Sequence, residues 1–156
     1  MMPKETLQCE LCHTSGGEIV WEDSHCRVVL VGGAEGDAFP SFCRVVWHAH
    51  VAEMSDLLPR QREHIMKIVF GTEMALRQLM RPDKINLASL GNVTPHLHWH
   101  VIPRWRNDSH FPAPIWAAPR SAAPRRAQPG RDAVHAALTA ALVESSGAAP
   151  SIPPTP

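Results

Sequence analysis

His96-Leu97-His98-Trp99-His100-Val101-Ile102 sets the pattern around which the rest of the chain is arranged. Three histidines alternate with apolar residues, and a further apolar residue closes the run. In an extended strand, residues two apart point the same way. The run then carries His96, His98 and His100 on one face and Leu97, Trp99 and Val101 on the other. A helix does not give this split, because residues i and i+2 diverge on its surface. A solvated edge strand accepts one such histidine without consequence, whereas a row of them on one face points to chemistry.

Working outward, residues 84–90 read as a strand, Gly91-Asn92 as a turn, and Thr94-Pro95 as the entry to the histidine strand. Proline is tolerated at a strand's first residue, and Pro103 is expected to end the pairing. Upstream, Pro59 suits the first position of a helix. From there Ile65, Ile68, Val69, Thr72, Leu76, Leu79 and Met80 recur at three- and four-residue steps. That spacing predicts an amphipathic helix of about six turns, closed by Arg81-Pro82-Asp83. Gly71 inside it costs roughly 1 kcal/mol against alanine and marks close packing. Met66, Met74 and Met80 read as core filler. Residues 18–21 and 27–31 are β-like runs split by Glu22-Asp23-Ser24-His25, a hairpin pattern. Residues 32–37 are a loop by composition, and 42–47 form a third strand. Cys26 and Cys43 sit among apolar neighbours and read as small buried hydrophobes. The class is α+β: an antiparallel sheet of about five strands with one long helix packed on it.

The 156 residues suit one domain of ordinary size. Lys plus Arg and Asp plus Glu are both 15, which argues against a broad nucleic-acid or anionic-membrane footprint. No apolar run is long enough to span a membrane and no secretory pattern opens the chain, so a soluble, cytoplasmic protein is expected. In that setting the four cysteines are thiols or metal ligands rather than disulfides. Cys9-Glu10-Leu11-Cys12 has the spacing of a shared metal site or of a redox pair. A redox pair usually opens a helix, whereas a Gly-Gly turn follows here, which favours metal. After Trp105 proline and alanine dominate, with Arg120, Arg125 and Arg126 interspersed. Residues 132–144 can form one Ala-rich helix, and 145–156 read as a disordered tail. The chain thus divides into a body at 1–110 and a Pro/Ala-rich extension at 111–156. Phe111 and Trp116 are candidates to anchor that extension across the body or over a pocket. Arg104, Trp105 and Arg106 read as a solvated strand end.

The run His96-x-His98-x-His100-Val101-Ile102 resembles the signature of the histidine triad (HIT) superfamily, and the order of hairpin, strand, long helix, strand and histidine strand agrees. The spacing from His50 to Asp56-Leu57 is also similar. The likeness covers about residues 7 to 106. It implies that His98 is a nucleophile on the α-phosphate of a nucleotide, which is sound chemistry because an imidazole nitrogen attacking phosphorus divides one hard displacement into two easier ones. His100 would then hydrogen-bond phosphate oxygens or protonate the leaving group. Backbone N–H groups at Gly91-Asn92 are candidates to cradle phosphate. Asn92, Thr94 and Asn86 are candidate substrate contacts. The resemblance also implies a structural zinc on Cys9, Cys12, His50 and His96, a closed set with no open position. His13 and His48 are the alternatives to His50. A homodimer is implied as well.

Three departures stand out. The family's Pro-Gly-His before the third strand is Pro40-Ser41-Phe42 here, so a fourth histidine is absent. The ribose-binding Asn or Asp falls on Gly32-Gly33. The hydroxyl before the triad moves from position 93 to Thr94, and a shift of one residue changes the face. The leading expectation is a hydrolase of nucleotide phosphoric esters or anhydrides, of the dinucleoside-polyphosphate or nucleoside-phosphoramidate type. It would act through a nucleotidyl-histidine intermediate. The alternatives are a nucleotidyltransferase or phosphorylase with the same intermediate, and a zinc-stabilised nucleotide-binding module with little turnover.

Overall fold

The computed structural model describes residues 8–147. Five antiparallel strands form one sheet: β1 (Glu18–Glu22), β2 (Cys26–Leu30), β3 (Cys43–Trp47), β4 (Lys84–Ala88) and β5 (His98–Arg104), in the order β1-β2-β3-β5-β4. Around it lie helices α1 (Glu10–His13), α2 (Gly33–Ala38), α3 (Pro59–Met80) and α4 (Arg131–Gly147). The fold is α+β, as the patterning predicts.

Local chemistry explains the hairpin. Asp23 Oδ1 accepts the backbone N–H of His25 at 2.8 Å and of Cys26 at 2.9 Å, which closes the β1–β2 turn. Gly17 leads into β1 at φ 155°, where an added Cβ would lie 2.3 Å from the Leu30 carbonyl oxygen. Only glycine passes there.

Helix α3 starts on Pro59 and ends at Arg81, whose φ of 47° is left-handed. Of the residues picked out by three- and four-residue spacing, Leu79 and Met80 are half-buried, and Ile65, Ile68, Val69, Thr72 and Leu76 are buried. They meet Val28, Val45 and Val101 on one sheet face, so a single apolar core lies between sheet and helix. Helix α4 joins the same core through Val134, Leu138 and Ala141. At Gly71 an added Cβ would stand 2.5 Å from Leu142 Cδ2, so α4 crosses α3 where α3 has no side chain. The segment Arg131–Gly147 is therefore packed into the body.

Several elements differ from their sequence expectation. Residues 32–37, read as a loop, contribute to α2, where the Phe39 N–H reaches Glu35 O at 2.9 Å. Ala34 and Ala38 favour the helix and an early acid suits its N-terminus, signals that the glycines mask. The histidine strand is β5 only from His98; His96 lies on its approach. There Leu97 donates its N–H to Val51 O at 2.7 Å and accepts that of Trp47 at 3.1 Å. Pro103 does not end the pairing, because β5 continues to Arg104 with Pro103 opposite Ile85. Pairing with β3 stops at Val101, so Pro103 lies where β5 has one neighbour and a missing N–H is tolerated. Helix α4 extends past residue 144 to Gly147, and Ser145 and Ser146 donate their hydroxyls to Leu142 O. Positions 148–156 of the expected tail lie outside the described residues.

The strand end at Arg104 is not solvated. Arg104 is 1% exposed. Its Nε and Nη2 donate to the Asp108 carboxylate at 2.7 and 3.0 Å, Nη1 to Asn86 Oδ1 at 2.7 Å and Nη2 to Ala113 O at 2.8 Å. Trp105 is buried too, with Arg126 stacked 4.2 Å from its ring centre. A carboxylate four residues downstream lets the guanidinium enter the interior. Asp108 also accepts the N–H groups of Trp105, His110 and Phe111. Burial alone would raise its pKa, but the Arg104 bonds and these three donors outweigh it and hold the carboxyl at about 2.

Candidate active site

Register sets the site. On β3, Arg44 stands opposite His100 and Val46 opposite His98. The period of two places His98 and His100 on the sheet face turned away from α3, and both are buried. Their ring centres are 4.8 Å apart at 75°.

One hydrogen bond fixes the tautomer of His98. Its Nδ1 lies 2.6 Å from the carbonyl oxygen of His96. A carbonyl only accepts, so Nδ1 carries the proton and Nε2 keeps its lone pair. The carbonyl of His98 in turn accepts the Ser89 hydroxyl at 2.9 Å. Burial is the main cause that lowers the pKa of His98; the Arg44 charge adds to it and the bond to His96 opposes it. His98 is a neutral imidazole with an available nitrogen.

His100 is more extreme. Burial, then the His98 and Arg44 charges, pull its pKa down to about 3. The wall that buries it includes Phe42, 5.6 Å away between ring centres, and Trp116, 5.0 Å away. Its Nδ1 is buried without a hydrogen-bond partner, as are Arg44 Nε and Trp99 Nε1. The Phe42 that stands where the resemblance would put a histidine thus makes an apolar wall. Trp99 packs against the core on the α3 side of the sheet.

A cleft of about 520 Å³ opens over His98 and His100. Gly91, Asn92 and Thr94 line it, so two of the three candidate substrate contacts face the histidines. Asn86 does not line it; its oxygen is taken by Arg104. Trp116 lies in the cleft, which places the Pro-rich extension over the pocket. Sequence reasoning missed Arg44 and Glu35, which also line it. Glu35 Oε2 accepts from Arg44 Nη2 at 3.0 Å. The signal for Arg44 was its position two residues after Phe42 in a strand, and it needed the pairing of β3 with β5 to be read.

The second constellation lies beside the first. Cys9, Cys12, His50 and His96 bring one ligand atom each within 4.8 Å of one another. His96 Nδ1 is 3.3 Å from Cys9 Sγ and 3.5 Å from Cys12 Sγ, and His50 Nδ1 is 3.3 Å from Cys12 Sγ. Zinc bonds of about 2.3 Å to sulfur and 2.0–2.1 Å to nitrogen at a tetrahedral angle imply a sulfur–nitrogen edge of about 3.5 Å. The four residues fit. His96 also has the right tautomer, because Nε2–H donates to Trp47 O at 2.6 Å and leaves Nδ1 facing the sulfurs. Burial and the neighbouring Cys9 push the Cys12 thiol up to about 11, a penalty that a dication between the sulfurs removes. His48 is engaged elsewhere, with Asp23 O at 3.0 Å and Arg27 Nη1 at 3.3 Å. His13, exposed on α1, is outside the group. Asp23, Cys26 and His64 also lie together, but Asp23 Oδ1 holds the hairpin turn and Oδ2 pairs with His64 at 2.7 Å. That cluster pins the hairpin to α3. Among the described residues, no helix is long and apolar enough to cross a membrane.

Comparison with known proteins agrees with the geometry. The HIT domain family model matches residues 16–107. A curated relative from Mycobacterium tuberculosis, named AP-4-A phosphorylase, is 28% identical over 78 residues. That match covers 46% of this chain and 40% of the relative, so the chain spans well under half of that relative's length. A histidine triad protein from Marinobacter aquaeolei has the same fold, with a TM-score of 0.66 at 23% identity over 88% of this chain and 96% of that one. A Zn-bound histidine triad family protein from Mycobacterium smegmatis has a TM-score of 0.57 at 21% identity over 90% and 97%. From the extent of the family match, from the fold and from the histidine strand within its sheet, the chain belongs to the HIT-domain family.

Proposed function

We propose that this chain cleaves nucleotide phosphoric esters or anhydrides through a nucleotidyl-His98 intermediate, with water as the second acceptor. The observation that carries the reading is the bond from His98 Nδ1 to the His96 carbonyl, which leaves Nε2 free beside an open cleft. Nε2 attacks the α-phosphorus, the P–N bond forms, and the bond to the leaving oxygen breaks. Water then attacks the same phosphorus and loses a proton to solvent, the P–N bond breaks, and the neutral imidazole is restored. His100, held neutral by burial, donates a hydrogen bond to a phosphate oxygen rather than a proton to the leaving group. Asn92, Thr94 and the backbone at Gly91 face the same space and supply further polar contacts.

Cys9, Cys12, His50 and His96 would hold zinc as a structural ion, tying α1 to the approach of β5. Held in that set, His96 would keep in place the carbonyl that orients His98. The homodimer is part of this reading: β4 is an open sheet edge and Phe70 on α3 is exposed, and light scattering tests it.

Phosphorolysis is the second reading, favoured by the relative named AP-4-A phosphorylase. Products separate the two. Attack on an α-phosphorus of diadenosine tetraphosphate releases ATP; water then yields AMP, whereas inorganic phosphate yields ADP. Excess AMP with phosphate present supports hydrolysis, and ADP as the main product overturns it. Replacement of His98 by alanine is expected to lower either activity by at least about 10³-fold with zinc content unchanged. A near-normal rate in that variant removes His98 from the chemistry.

A further inference from the structure

Among the described residues, Arg44 is the one lysine or arginine that lines the cleft over His98 and His100. It is not there to hold the sheet together. Its Nη2 is paired with Glu35, a residue whose side chain is 47% exposed, and such a pair at a surface is weak and readily exchanged. Its Nη1 reaches Gly16 O only at 3.4 Å. Its Nε is buried and has no partner at all. The guanidinium leans on the Phe42 ring, 5.4 Å from its centre, which keeps it beside His100. The two Nη groups, held by an exposed carboxylate and one long bond, are the donors that an anion in the cleft takes over.

Position identifies that group. Arg44 stands opposite His100, and Val46 opposite His98, so the cation is one side-chain repeat along β3 from the point facing the nucleophile. Two residues of strand advance about 6.8 Å. Register sets the cation beside His100, one side-chain repeat from the nucleophile, where the anionic unit next to the attacked phosphorus comes within its reach. Planar guanidinium with several donors suits phosphate oxygens.

We propose that Arg44 forms an anion subsite for the phosphate next to the one attacked, and that Glu35 occupies that cation until substrate displaces it. This rests on the nucleotidyl-His98 reading for its chemistry, and it narrows the substrate class to anhydrides with at least two linked phosphates. Arg44 is then a specificity-determining residue: a substrate with a single phosphorus, such as adenosine 5′-phosphoramidate, does not use it.

Equilibrium binding tests the subsite apart from turnover. Inorganic tripolyphosphate and orthophosphate are titrated calorimetrically into the zinc-loaded protein, Arg44→Gln, Arg44→Lys and Glu35→Gln. Arg44→Gln is expected to weaken tripolyphosphate at least tenfold and orthophosphate less than twofold. Arg44→Lys should recover part of the loss, and Glu35→Gln, an exposed change that leaves the strand intact, should tighten tripolyphosphate two- to fivefold. In turnover, Arg44→Gln should lower kcat/KM for diadenosine tetraphosphate at least tenfold more than it lowers that for the phosphoramidate. Equal tripolyphosphate binding by the unsubstituted protein and Arg44→Gln overturns the subsite, as does an equal loss of both ligands. An unchanged rate in His98→Ala overturns the nucleophile instead, so the two failures are told apart.

Discussion

His98 and His100 differ by two positions in sequence and by their environments in chemistry. The carbonyl of His96 settles which nitrogen of His98 is protonated, while His100 has no such partner on Nδ1 and sits against Phe42 and Trp116. A hydrogen-bonding role for His100 predicts that His100→Gln keeps a donor and loses about tenfold in kcat, while His100→Ala loses about 10²- to 10³-fold. If His100 were the acid, both would be equally poor, and steady-state kinetics separate the cases. The pH sign follows from the lowered pKa. Above the ordinary 6.5 both folded and unfolded chains carry the neutral ring; between there and about 3 only the unfolded chain takes the proton. Stability therefore falls as pH drops through that range, and urea midpoints for the unsubstituted protein should show a smaller fall in His100→Gln. The placement of His98 and His100 on one face of β5 was legible in the sequence because alternation is a local property, whereas the start of the strand after His96 was not. Arg44 was not, because its place beside His100 depends on which strand pairs with β5, a non-local fact.

Long periodic elements were legible and short ones were not. Helix α3 repeats its apolar spacing over 22 residues, so its ends and buried face follow from pattern alone. Helix α2 is six residues long and contains two glycines, too little pattern to outweigh turn composition. The end of β5 was misread because Arg104 and Asp108 are each hydrophilic alone and become core residues only as a pair. Asp108→Ala leaves Arg104 buried without its counter-charge and should cost roughly 3–5 kcal/mol, read from denaturant unfolding. In the native pair the Asp108 pKa lies below the ordinary carboxylate value, so its contribution is complete above about pH 4 and is lost as pH falls toward 2. Leu138 on α4 is fully buried against the same core as α3. Leu138→Ala should cost about 2–5 kcal/mol, as large as an equivalent change in α3, which makes α4 part of the body and not an appendage.

On the scale of the whole molecule, the metal set and the histidine strand are one assembly. Cys9 caps α1, Cys12 lies within it, His50 follows β3 and His96 precedes β5, so an ion there joins segments far apart in the chain. His96→Ala should bring zinc content from one per chain to near zero. Chelation of the unsubstituted protein should lower the unfolding temperature by about 10 °C, consistent with a loss of several kcal/mol. The donor set was readable from C-x-x-C spacing and the family likeness; its 3.3–3.5 Å edges and the tautomer of His96 needed the fold. The nucleotidyl-His98 route requires a covalent adduct on His98. Intact-mass and peptide mapping after rapid acid-free quench of the zinc-loaded protein with diadenosine tetraphosphate tests it directly. An adenylyl group on His98, absent from His98→Ala, is the predicted result; an adduct on another residue, or turnover with no adduct and an undiminished rate in His98→Ala, would contradict it.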